Sequence, residues 1–347
     1  MHALRIHEHG GPEVLRWEEI PRPEPGPGQV LLRVKAASLN HLDLWVRRGV
    51  AGHKFPLPIT PGCDFAGVVE AAGEGVKGWK SGDEAAVAPG FSCGACIECG
   101  TGNDHLCRGY GIYGETCDGG CAGFALAAAS NLLPRPKNLS WEETASVPLA
   151  FLTAWQMLVG RAKIQPGETV LIHAAGSGVS SAAVQIAKLH GARVVATAGS
   201  VEKCRKALEI LGADESLDYT RVDWVKEVRA ITGRRGADVV LDHVGAATFE
   251  RSLMCLTKGG RLVTCGASSG YEIKFNAALV FFKSVSVLGS TMGPRGLFGE
   301  IFRHLGEGRL RPVVDRVLPL TLAGARKGHE ALEAREVFGK VALSLAG

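Results

Sequence analysis

The chain has 347 residues, 46% of them hydrophobic and 21% charged, with a formal charge of +4. That length exceeds one ordinary core and predicts two domains, and the composition excludes disordered and fibrous classes. The small charge, with no basic cluster, leaves no footprint for nucleic acid, and no apolar run approaches the ~18 residues of a membrane span. The start of the chain, Met1 to His9, turns polar within a few residues and lacks a signal-peptide core, so a cytoplasmic protein is expected. In that setting ten cysteines read as metal ligands or buried thiols, not as disulfides.

The first 130 residues read as strand and loop. Gln29–Ala36 follows a proline-rich stop, and Gly67–Gly73 and Glu84–Ala88 are further strands between glycine and proline punctuation. Cys93, Cys96 and Cys99 then recur at a spacing of three, and Cys107 follows eight residues later. Four thiolates in a polar, glycine-rich loop suit a closed structural zinc site, one ion per chain. Buried thiols are the plain alternative. The spacing matches neither ferredoxin pattern of iron–sulfur clusters, and Cys117 and Cys121 read as spectators.

Near residue 150 the rhythm changes. Thr169–His173, Arg193–Thr197, Ala237–Asp242, Arg261–Cys265 and Val285–Gly289 are apolar strands, with helices over Val179–His190, Val201–Leu211 and Ala247–Leu256 between them. Such alternation predicts an α/β, doubly wound parallel sheet. The expected division is 1–150 with 295–347 as one domain and 151–294 as the other. The tail, ending in the strand Phe338–Leu345, is expected to return to the first domain.

Between the strand at 169–173 and its helix lies Gly176-Ser177-Gly178-Val179. A glycine-rich strand–turn–helix lets backbone and helix N-terminus meet a pyrophosphate. The spacing puts Ser181 where a third glycine or alanine is expected. An acid expected about 20 residues on, for a ribose hydroxyl, is missing. Ser200 and Lys203 stand nearby instead, with Arg205 beyond them, and these suit a 2′-phosphate. NADP(H) is therefore preferred and NAD(H) allowed; the plain reading of Lys203 and Arg205 is a solvated helix face. His243 and Val244, Cys265 and Gly266, with Tyr219, complete the expected cofactor contacts at strand ends.

With these motifs in place the chain resembles the medium-chain dehydrogenase/reductase superfamily over its whole length. Pro61–Gly67 and Asp118–Phe124 carry the resemblance along with the cysteine lobe. It implies a GroES-like β-barrel domain before a Rossmann domain, hydride transfer between a nicotinamide and a small alcohol, carbonyl, quinone or enone, and a homodimer or homotetramer. It also places Thr153 near the nicotinamide ribose. The catalytic zinc ligands of the superfamily's alcohol dehydrogenases are replaced: Asn40 stands at the first cysteine, Cys63 at the histidine with Asp64 at its glutamate, and Leu149 at the last cysteine. Asn40-His41-Leu42-Asp43 is similar instead to the N-x-x-D of zinc-free quinone oxidoreductases. Asn40, His41, Asp43, Cys63 and Asp64 are the candidate catalytic residues, with the Asn40 amide and the His41 imidazole as donors and Asp43 as their orienter. Two alternatives stay open, a zinc-catalysed alcohol dehydrogenase with remodelled ligands and a non-catalytic NADP(H)-binding protein.

Overall fold

Alternating apolar residues set the first sheet. In the computed structural model, which describes residues 1–345, β1 (His2–Ile6) and β2 (Leu15–Glu19) form an antiparallel hairpin. β3 (Gln29–Leu39) is the long central strand, buried on most of both faces. The chain turns directly into α1 (His41–Arg48), returns through β4 (Asp64–Ala72) and β5 (Glu84–Val87), and later adds β6 (Phe124–Ala128) and β7 (Leu132–Pro134). α1 was not among the expected elements. Its N-x-x-D start, read above as chemistry, is also a helix-start pattern, with a short polar residue before the helix and an acid at its third position.

α2 (Pro148–Trp155) opens the change of rhythm. There follow β8 (Thr169–Ile172), α3 (Gly178–Leu189), β9 (Arg193–Ala198), α4 (Val201–Glu209) and β10 (Glu215–Asp218). α5 (Trp224–Ile231), β11 (Ala237–Leu241), α6 (Phe249–Cys255), β12 (Leu256–Thr264) and β13 (Ser286–Gly289) complete the series. All six strands are parallel, in the order β10-β9-β8-β11-β12-β13. β8 and β11 are fully buried, as continuous apolar runs covered on both faces must be. The order reverses between them, and ligands of open α/β sheets collect at such a switch point.

The remaining chain includes β14 (Val314–Pro319), α7 (Leu322–Glu333) and β15 (Lys340–Ser344). β15 lies antiparallel to Ala36–Leu39 of β3, while β6 pairs with Gln29–Arg33 of the same strand. The first sheet thus runs β14-β15-β3-β4-β5-β7, with β6 beside β3. Its core gathers Leu32, Val34, Phe65, Val69, Val87 and Leu343; removing such side chains from water is the main stabilising force. The chain divides into two units, Met1–Ala150 with the segment from Pro294 onward, and Phe151–Gly293. Among the described residues no helix is long and apolar enough to cross a membrane.

Candidate active site and metal lobe

Asn40 is the residue between β3 and α1, in extended conformation, and Cys63 and Asp64 lie at the start of β4. Val341 of β15 pairs with Leu39, which sets Lys340 at the level of Asn40. Three distant segments therefore meet at one buried point. The Lys340 ammonium donates to Asn40 Oδ1 and to Asp64 Oδ2, the latter at 3.1 Å, with the two charged side chains only 5% and 0% exposed. Asn40 Nδ2 donates to Asp64 Oδ2 at 2.9 Å. Its second hydrogen faces weaker partners, Cys63 Sγ at 3.3 Å and the Ser38 carbonyl at 3.4 Å. Chemistry fixes the amide's orientation: reversed, its oxygen would meet a carboxylate and its NH2 an ammonium. Asp64 Oδ1 accepts the backbone N–H of Leu149 at 2.8 Å.

Asp43 braces this arrangement from α1. Its carboxylate accepts the N–H of Asn40 at 2.7 Å and of Gly62 at 2.9 Å. Burial raises its pKa to about 6, against the lowering effect of those N–H groups and of Lys340. Burial, with Asp64 and Asp43 as neighbours, pushes Cys63 well above the ordinary thiol range, so it stays protonated. The donor set does not suit a thiolate-type metal centre. The amide oxygen is held by an ammonium, the sulfur is a thiol, and Leu149 offers no side-chain donor.

The cysteine lobe is built differently. Cys93 and Cys107 sulfurs lie 3.5 Å apart, Cys96 and Cys99 3.5 Å, and Cys93 and Cys99 3.9 Å. All four lie within 4.8 Å of one another, and among the described residues they are the one group of three or more histidine, cysteine or acidic side chains placed to hold an ion. Four thiolates ~2.3 Å from a central zinc would have edges of about 3.8 Å, so the set fits. The N–H groups of Ala95 and Cys96 hold the Cys93 thiol down at about 6, whereas Cys96, against the lowering N–H of Cys99, is raised to about 11 by its sulfur neighbours, the split of thiols that share protons.

In the second unit the turn after β8 leads into α3 with Ser177 as its N-cap. Ser180, fully buried, donates its hydroxyl to the His173 carbonyl at 2.6 Å, tying the first turn of α3 to the end of β8. His243, just past β11, lies 2.8 Å from Ser180 Oγ and 3.1 Å from Ser177 Oγ. Behind it Asp242 accepts the N–H of Val244 at 2.9 Å, the N–H of Gly245 at 3.1 Å and the Ser252 hydroxyl at 2.7 Å.

Residues 26–137 match the alcohol dehydrogenase GroES-like domain and residues 178–306 the zinc-binding dehydrogenase family. A quinone oxidoreductase of Rattus norvegicus is 31% identical over 99% of this chain and 98% of its own length. The chain belongs to the medium-chain dehydrogenase/reductase superfamily. Within it, the crystal structure of an NAD-dependent alcohol dehydrogenase is 53% identical, with a TM-score of 0.96 and full coverage of both chains. A cobalt- and zinc-bound thermostable alcohol dehydrogenase from Pyrobaculum aerophilum is 38% identical, with a TM-score of 0.89 over 99% of each chain. The fold is the superfamily's GroES-like domain with a Rossmann-type parallel sheet, and the chain is a nicotinamide-dependent oxidoreductase.

Set in this superfamily, the residues singled out from sequence fall into three places. Asn40, Asp43, Cys63 and Asp64 converge, whereas His41 is exposed as the first residue of α1. Gly176 to Val179 and His243 come together at the switch point through the two serines, with Val244 beside them, and Cys265 and Gly266 follow β12. Ser200 caps α4 by accepting the N–H of Lys203 at 3.2 Å, and the Tyr219 hydroxyl lies over Gly199, 2.5 Å from where a Cβ would stand. Thr153 is buried in α2. Arg205 is taken up by Glu202 and Glu209 of its own helix. Sequence reading missed Lys340, whose only signal was a lysine inside an otherwise apolar final strand. It also missed Ser180, whose hydroxyl ties the first turn of α3 to the end of β8.

Proposed function

We propose that the protein transfers hydride between a nicotinamide dinucleotide and a small carbonyl or alcohol, quinone or enone without a catalytic zinc. The buried Lys340–Asp64–Asn40 cluster carries this reading, with Asn40 at the position of the first cysteine ligand of the superfamily's zinc enzymes and Asp64 at that of their glutamate. The nicotinamide supplies and accepts the hydride; the protein must position the acceptor and stabilise negative charge on its oxygen. An ammonium on the oxygen end of the Asn40 amide polarises it and strengthens donation from the nitrogen end. One amide hydrogen is committed to Asp64. The other, held only by a thiol and a long carbonyl contact, is the one an acceptor oxygen takes over. Asp43 keeps Asn40 in place through its backbone.

Cys93, Cys96, Cys99 and Cys107 hold a structural zinc in this reading, one per chain. Gly176, Ser177, Gly178, Val179, His243, Val244, Cys265 and Gly266 contact the dinucleotide, with Thr153 and Tyr219. Ser200 and Lys203, in place of an acid after β9, favour NADP(H) over NAD(H). The 53% identical NAD-dependent alcohol dehydrogenase supports a second reading, alcohol oxidation with NAD(H). Comparing kcat/KM for NADPH and NADH, and for alcohols against quinones and enones, separates the two. A homodimer or homotetramer is also proposed. Its support is the open edge strand β13, with Val287 42%, Phe281 62% and Phe282 75% exposed. A monomeric mass in solution would contradict it.

The test of the mechanism is Asn40→Ala, assayed with NADPH against quinones, enones and aldehydes. Removing one charge-stabilising donor lowers kcat ~10²–10³-fold, with cofactor KM changed by less than about twofold. Unchanged turnover removes Asn40 from the mechanism.

A further inference from the structure

The hydrogen-bond pattern at the turn between β8 and α3 fixes where the protons of Ser180 and His243 lie. The His173 carbonyl can only accept, so at 2.6 Å the hydrogen between it and Ser180 belongs to the Ser180 hydroxyl. With its one hydrogen spent, Ser180 Oγ faces His243 Nε2 at 2.8 Å as an acceptor. His243 therefore carries a proton on Nε2. That proton also faces Ser177 Oγ at 3.1 Å, and Ser177 Oγ accepts the N–H of Ser180 at 3.0 Å. Ser177 cannot donate to a nitrogen that already holds a proton, so both its lone pairs are engaged and its O–H is left over. Ser177 is partly exposed at the N-cap of the twelve-residue α3, where N–H groups and the helix dipole favour an anion.

We infer that His243 is a positioning residue that leaves the Ser177 hydroxyl free to donate to a phosphate oxygen of the bound dinucleotide. The inference rests on the nicotinamide-binding reading above. A serine at the cap of this helix would otherwise turn its hydroxyl inward, toward a ring nitrogen lone pair, and present oxygen lone pairs to the phosphate. The His243 N–H prevents that. Burial lowers the ring's affinity for a second proton, and the Ser180 contact decides which nitrogen holds the first.

Two measurements test this. Nitrogen-15 NMR of the wild-type imidazoles reports the tautomer without any cofactor; a proton on Nε2 of His243 is expected, and a proton on Nδ1 alone overturns the inference. NADPH affinity is then measured by fluorescence titration, without substrate. Ser177→Ala and His243→Ala each weaken it about tenfold, the double variant weakens it no further, and His243→Gln, which keeps an N–H near the same place, recovers most of it. Unchanged affinity in either single variant, or losses that multiply in the double variant, overturns the coupling. A wild-type protein that binds neither NADPH nor NADH overturns the nicotinamide reading itself, and this role with it.

Discussion

The first unit holds two polar clusters, the cysteine lobe and the group around Asn40, and they are built on opposite principles. In the cysteine lobe, four sulfurs stand at tetrahedral edge distances in a loop with almost no core of its own. In the Asn40 cluster, the carboxylate is already neutralised by a lysine ammonium from 276 residues away, and the neighbouring sulfur is a buried thiol. A loop that lacks apolar burial gains order from bonds to an ion. A buried carboxylate needs a cation, and a covalently attached one answers that need permanently. On the proposed reading, one protein keeps a metal for architecture and uses a side chain for the charge at its reactive centre.

The largest expected effect breaks the second cluster and spares the first. Lys340→Met leaves Asp64 as an unpaired buried carboxylate and costs about 3–5 kcal/mol of stability. Chemical denaturation measures the loss, and elemental analysis should find the zinc of the lobe unchanged. A stability within 1 kcal/mol of wild type, on the scale of a surface pair, would mean that the ion pair is not the buried device described here.

A third cluster sharpens the comparison by pH. Arg47 of α1, fully buried, pairs with Glu333 of α7 and donates to His329 Nδ1 at 3.2 Å. Burial, then the positive charges of Arg47 and Arg48, holds His329 down at about 3. The histidine contributes no slope above its unfolded value near 6.5, where both states are neutral. As pH falls from about 6.5 towards 3 the unfolded chain takes the proton and the native state resists, so stability falls by up to ~1.4 kcal/mol per unit. Asp43 acts in the opposite sense, since its native carboxyl, raised to about 6, takes a proton before the unfolded one does. The contribution of His329 is therefore read as the difference between wild type and His329→Asn, whose stability curve should be flatter on the acid side. Identical slopes would remove His329 as the cause.

The smallest effect concerns the cofactor's far end. Lys203→Ala should raise the KM for NADPH ~3-fold and leave that for NADH unchanged, the range of an exposed charge contact. Equal effects on both would assign Lys203 to the helix surface alone.

How much of this was legible in the sequence depended on the range of the interactions. The doubly wound sheet was, because Thr169–Ile172 and Ala237–Leu241 are unbroken apolar runs whose burial on both faces follows from composition. The convergence of the four lobe cysteines was, because they lie within fifteen residues. The Asn40 cluster was legible only in part. The loss of metal-ligand residue types could be read directly, but the replacement cation could not, since Lys340 reaches Asn40 only through the pairing of β15 with β3. Two short-range features were legible and went unread: Arg205 stands three and four residues from Glu202 and Glu209 on one expected helix, and Asn40-x-x-Asp43 is a helix-start pattern.

The central claim is one metal for structure and none at the reactive centre. Zinc per chain, measured by elemental analysis of the purified protein and of a Cys93→Ser/Cys96→Ser variant, tests it most directly. The account predicts one zinc in the native protein and none in the variant. Two zinc ions in the native protein, one of them surviving in the variant, would contradict it and return the Asn40 cluster to metal chemistry.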